Sequence, residues 1–93
     1  MTTCKIELIF HAFFREITKT RKILEEISDD CTINNILTQL VNRYGNEFDI
    51  IDPITRKISN ENVILLNGKS VRETNIKLKD KDVLIFSLPF GGG

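Results

Sequence analysis

The sequence predicts an α+β domain in which one amphipathic helix covers one face of a mixed sheet. Three observations predict it: an alternating strand at the start, one stretch of strict helical periodicity in the middle, and an apolar strand near the end. In Cys4–Phe10 the side chains of Ile6, Leu8 and Phe10 share one face, and Lys5, Glu7 and Ile9 share the other. Period two with β-branched and aromatic residues is the pattern of a half-buried strand. In the middle, apolar residues fall at Ile33, Ile36, Leu37, Leu40, Val41 and Tyr44, which forms one continuous helical stripe. Val83–Leu88 is apolar at nearly every position, which predicts a central strand covered on both faces.

The remaining elements follow in order. His11–Lys22 mixes Phe13 and Phe14 with charged residues and reads as a loop with a short helical turn, its two phenylalanines partly covering the core. Ile23–Ser28 reads as a second strand, forming a hairpin with the first. Thr32 is placed to cap helix 33–44, with Asp29 and Asp30 adding negative charge ahead of its positive end. Gly45 is expected to close the last turn in the left-handed conformation. Asp52-Pro53 marks a turn, and Ile54–Ile58 is expected as a short edge strand. Val63–Leu66 runs into Asn67-Gly68, the pair that suits a type I′ hairpin, and Lys69–Val71 returns. Lys79–Asp82 is a charged, solvated turn, and Pro89 ends pairing by removing an amide donor. A first hairpin and a central last strand are best satisfied by placing the last strand beside the first, which is the β-grasp, or ubiquitin-like, topology: four to five strands on one main helix.

Composition bounds the function. The chain has 93 residues, 41% of them hydrophobic and 28% charged, which is the make-up of one ordinary globular domain. Such a domain has a radius of gyration near ~12 Å and leaves little room for a lidded cleft. Thirteen basic residues balance thirteen acidic ones, so no net positive field draws in nucleic acid or anionic membrane. No apolar run approaches the ~18–20 residues of a membrane span. The first residues carry no signal-peptide core, so a cytoplasmic location is expected. Cys4 and Cys31 lie outside any CxxC pattern and read as reduced, half-buried residues; a disulfide or a metal site is the alternative. His11 reads as a loop residue. No Ser–His–Asp set, carboxylate pair, phosphate loop or metal cluster assembles from the sequence, so no catalytic residue and no metal ligand is assigned.

The terminus is the chemically suggestive feature. Three of the five glycines occupy the last three positions, after Leu88-Pro89-Phe90. A glycine-rich end is often an idle tail. Leaving a central strand, however, a flexible Pro89–Gly93 thread would reach about 16–18 Å. Without side chains, Gly91 and Gly92 could pass a tunnel closed to other residues. The Gly93 carboxylate is ionised at neutral pH and can attack the α-phosphate of a nucleotide, giving an acyl-adenylate open to sulfur or amine nucleophiles.

Here the sequence resembles the ubiquitin-like sulfur carriers: the small subunit of molybdopterin synthase (MoaD), the thiamine carrier (ThiS), the archaeal small modifiers and the eukaryotic ubiquitin-related modifier. The resemblance spans the chain. It rests on the single helix Thr32–Gly45, on Val63-Ile64-Leu65-Leu66-Asn67-Gly68-Lys69, on Leu78-Lys79-Asp80-Lys81-Asp82-Val83, and on the ending Leu88-Pro89-Phe90-Gly91-Gly92-Gly93. Lys81 stands where the family has Gly, which is tolerable if that position avoids positive φ. Leu88 replaces the first of two prolines, which makes a less stiff tail. A third glycine closes the chain, so trimming of one residue would make Gly92 the tip; an ending on glycine implies that no long propeptide is cut.

The resemblance implies a β-grasp domain over residues 1–89 and an extended tail over 90–93. It implies a carrier rather than an enzyme, with no bound cofactor. A ubiquitin-activating-enzyme-like adenylyltransferase would consume ATP on Gly93, and a persulfide protein would convert it to a thiocarboxylate. The recipient is the molybdopterin synthase large subunit in the preferred reading, because the long 46–62 segment resembles MoaD-like chains. Thiamine synthesis and tRNA thiolation are other recipients. Isopeptide linkage of the tip to target lysines is the alternative function, and a binding module with an inert tail is a third. Docking is expected on the sheet surface and the base of the tail, with Leu88 at the interface and Phe90 as an apolar anchor, unless Phe90 folds back on the core.

Overall fold

The structure, a computed structural model, describes residues 4–89. Strand β1 (Cys4–Phe10) is followed by helix α1 (Ala12–Thr18), strand β2 (Lys22–Ile27), helix α2 (Ile33–Tyr44) and a single 3-10 turn (Asn46–Phe48). Strands β3 (Val63–Leu66), β4 (Lys69–Val71) and β5 (Val83–Ser87) complete the fold. The sheet order is β2-β1-β5-β3-β4. β1 and β5 are parallel, with Leu8 beside Leu84 and Phe10 beside Phe86, and every other pairing is antiparallel. This is the β-grasp arrangement that the sequence predicts, with five strands and a Cα radius of gyration of 12.5 Å.

The core sits between the sheet and α2. Ile6, Leu8, Phe10, Ile64, Leu84 and Phe86 point into it from the sheet, and Ile33, Ile36, Leu37 and Leu40 meet them from the helix. Four phenylalanines form its centre. Phe10 stacks on Phe86 at 5.5 Å, Phe48 meets Phe10 and Phe86 edge-on at 5.8 Å, and Phe14 lies 5.2 Å from Phe48. Offset and edge-to-face rings add roughly 0.5–1.5 kcal/mol per pair beyond their buried area.

Helix α2 has the predicted bounds. The Thr32 hydroxyl accepts from the Asn35 amide (3.3 Å), and the Asn35 carboxamide oxygen accepts from the Thr32 amide (2.9 Å), a reciprocal cap. The Asn67-Gly68 turn has φ of 53° and 88°, as a type I′ hairpin requires.

Several expectations are corrected. His11–Lys22 contains a helix of 7 residues, α1, longer than the short turn expected, which buries Phe14 fully and leaves Phe13 44% exposed; His11 precedes it as an exposed loop residue, as expected. Ile54–Ile58 forms no strand. The Asp52 carboxylate accepts from the amides of Ile54 (2.7 Å) and Thr55 (3.1 Å), folding the segment into a turn with Ile54 89% exposed. Those bonds stabilise the ionised form and lower the Asp52 pKa. Gly45 does close α2, its amide donating to the Val41 carbonyl, but at φ 117° and ψ −177° rather than in the left-handed helical region. Lys81 takes positive φ, 73°, where the sequence reading required it to avoid that region; its amide donates to the Lys5 carbonyl at 2.7 Å, and that bond holds the turn.

Candidate functional site

The sheet has two unlike faces, one buried and one uncovered. β5 alternates, with Leu84 and Phe86 buried and Val83, Ile85 and Ser87 only half-buried. The expectation of cover on both faces therefore fails. The fold has one helical layer, and among the described residues nothing lies over the far side of the sheet. The register sets Ile9, Ile85 and Leu65 side by side across β1, β5 and β3. Strands are ~4.8 Å apart, so these three side chains form a continuous apolar stripe. Val63 and Val83 extend it along their strands, and Leu24 stands out from the edge at 66% exposed. The sequence signal was present in the unbroken apolar runs Val63–Leu66 and Val83–Phe86, in a chain with one helix long enough to cover one face.

β5 leads the chain out of this sheet. Its last pairings are Phe86 with Phe10 and Ser87 with Val63, and the His11 amide donates to the Phe86 carbonyl at 3.0 Å. Pairing thus stops two residues before Pro89. Leu88 is half-buried against the core and Pro89 is exposed. Leu88 therefore anchors the base of the tail from within the domain. Phe90, Gly91, Gly92 and Gly93 lie outside the described residues, as do residues 1–3.

At the opposite end of the sheet the charged turn acts as a structural knot. Asp82 accepts from the Lys79 amide (2.8 Å) and the Asn67 carboxamide (2.9 Å), Asn67 accepts from the Val83 amide (2.9 Å), and Asp80 accepts from the Lys5 amide (2.8 Å). Its carboxylates are thereby committed to backbone and hairpin donors. No group of three or more His, Cys, Asp or Glu residues able to hold a metal ion occurs among the described residues. Both cysteines are free thiols, Cys31 buried and Cys4 half-buried. Desolvation raises both pKa values, and for Cys4 the nearby Asp29 adds to the effect, so both are poor nucleophiles at neutral pH. No helix of the described residues is long and apolar enough to cross a membrane. The geometry that remains is an apolar sheet face beside a chain exit.

Comparison with solved structures gives matching folds. The HVO 2177 protein of Haloferax volcanii aligns with a TM-score of 0.80 at 27% identity, over 98% of this chain and 88% of that one. Small archaeal modifier protein 1 of Methanosarcina acetivorans aligns at 0.73 and 20% identity over 100% of both chains. A protein described as molybdopterin converting factor subunit 1, from Pyrococcus furiosus, aligns at 0.76 and 18% identity over 92% of this chain and 98% of that one. The search of curated proteins returns no match. The family model described as "ThiS family" matches residues 8–93, from the first strand through the glycines, and the chain belongs to that family.

Proposed function

We propose that this protein is a sulfur carrier whose working group is the Gly93 carboxylate. The observation that carries the reading is the family match, which runs unbroken to the last glycine. In the proposed cycle a partner adenylyltransferase brings ATP to the tip. A carboxylate oxygen attacks the α-phosphorus, pyrophosphate leaves, and an acyl-adenylate forms. The terminal sulfur of a persulfide protein then attacks the carbonyl, and AMP leaves. A thiol cleaves the resulting acyl disulfide, taking the donor's sulfur into a mixed disulfide and releasing the tip as a thiocarboxylate. Gly91 and Gly92 thread the partner's active site while the body of the domain, residues 1–89, stays outside it. The chain's own contribution is binding: the Ile9–Ile85–Leu65 stripe and Phe90 hold the activating enzyme, which offsets the entropy of ordering residues 90–93.

The favoured recipient is the large subunit of a molybdopterin synthase, supported by the long 46–62 segment and the likeness to the Pyrococcus furiosus protein. The likeness to small archaeal modifier protein 1 favours a second reading, isopeptide transfer of the same activated tip to lysines of other proteins. Intact mass after incubation with the activating enzyme, ATP and a persulfide donor tests both. Replacement of one oxygen by sulfur supports carriage. Larger adducts that vanish when Gly93 is deleted support modification. An unchanged mass with no adducts overturns the proposal.

A further inference from the structure

We propose that the protein self-associates by antiparallel pairing of β2 with β2 of a second copy, in a register centred on Leu24. β2 is an outer strand of the sheet. The Phe10 amide donates to the Arg21 carbonyl at 2.8 Å, which fixes the ladder: Arg21, Ile23, Glu25 and Ile27 turn their backbone groups toward β1. Lys22, Leu24 and Glu26 therefore turn their amides and carbonyls to the free edge. All three side chains are exposed, and all three point to the outer face of the sheet. The only side-chain bond from the described residues to these groups is weak, the Thr20 hydroxyl donating to the Lys22 carbonyl at 3.3 Å.

The edge is self-complementary. With Leu24 opposite Leu24 of the second copy across a two-fold axis, Lys22 of each copy falls opposite Glu26 of the other. All three outward residues then sit in hydrogen-bonded positions, with cross-strand Cβ atoms about 5 Å apart. The pairing joins two leucines and makes two Lys–Glu contacts in one register. A shift by two residues loses the central leucine contact and misaligns the charges. Charges that merely guard an edge need no such register. On the inner side Ile23 meets Glu25 of the second copy, and Glu25 is already neutralised by Arg43 at 3.0 Å. Lys22 holds Glu7 at 3.1 Å and can share its ammonium between the two carboxylates. The other outer strand, β4, has three residues and offers no comparable edge. Pairing at β2 extends the sheet sideways and leaves the Ile9–Ile85–Leu65 stripe uncovered, so the proposal is independent of the carrier function.

The test is sedimentation equilibrium of the full chain over a wide concentration series, with K22E, E26K and their equimolar mixture. The wild-type mass should rise with concentration from 10.7 kDa toward twice that value. Each variant alone places like charges opposite one another and should stay monomeric. The mixture restores two opposite-charge contacts and should associate as the wild type does, which also shows that both variants fold. Amide exchange should show Leu24 and Glu26 protected only at high concentration. A monomer at every concentration, a variant that self-associates like the wild type, a mixture that does not associate, or a dimer with unprotected Leu24 would each overturn the proposal.

Discussion

The two faces of the sheet are built from similar residues and meet different surroundings. On the inner face Phe10, Phe86, Leu8 and Leu84 meet α2 and the ring of Phe48 and are lost to solvent. On the outer face Ile9, Ile85 and Leu65 are equally apolar, yet only their neighbours shield them. Hydrophobicity alone therefore does not distinguish a core position from an uncovered one. The number of layers does, because one helix can cover only one side.

The comparison breaks most sharply at Phe48. Phe48→Ala removes the ring that joins α2 to both central strands and should cost about 3–5 kcal/mol. Total stability for a chain this size is roughly 5–14 kcal/mol, so the urea midpoint should fall steeply. A loss below about 1 kcal/mol would mean that the aromatic cluster is not the centre of the core. Ile85→Thr asks the converse question of the outer face. It keeps the branched β-carbon, so the denaturation midpoint should change little. Binding to the activating enzyme, measured calorimetrically, should weaken about tenfold, near 1.4 kcal/mol. Unchanged binding would remove the stripe from the docking surface.

Two smaller effects sharpen the inner side. Thr32→Ala deletes half of the reciprocal cap on the covering helix and should cost about 1 kcal/mol in denaturant unfolding. The smallest effect is at Asp52, where the folded carboxyl is held below its unfolded pKa by amide bonds from Thr55 and Ile54. Its stabilising contribution is present above the unfolded pKa of about 3.9 and disappears as pH falls through the folded value. Asp52→Asn should flatten the acid limb of the stability profile while leaving neutral stability little changed; an identical acid limb would deny those bonds a role.

Much of this fold is legible in the sequence because the patterns are local. The i, i+3, i+4 stripe of α2, the alternation of β1 and the Asn67-Gly68 hairpin each depend on side chains a few residues apart. What is not legible depends on contacts distant in sequence. α1 is legible only as a short helical turn because Phe13 and Phe14 sit among charges, and only packing against Phe48 and Phe86 shows which ring is inside. Asp52-Pro53 is legible as a turn signal, but not that the Asp52 carboxylate carries the turn on through Thr55 in place of a strand over Ile54–Ile58. For Lys81, the sequence reading treated positive φ as unfavourable. The Lys81 amide finds the Lys5 carbonyl from the other end of the chain, and this decides the conformation. The outer apolar stripe is half legible: its residues are plainly apolar in the sequence, but their exposure depends on how many layers the topology supplies. The role of the terminal glycines rests on sequence pattern throughout.

The parallel seam between β1 and β5 joins the beginning of the domain to its end. A newly synthesised chain cannot close it until nearly all the intervening sequence has been made and folded. Because Ile9 comes from one side of that seam and Ile85 from the other, an incompletely folded molecule has no stripe to offer. An enzyme that grips those side chains before spending a nucleotide would thereby also inspect its substrate, passing over immature or damaged copies without a separate proofreading step.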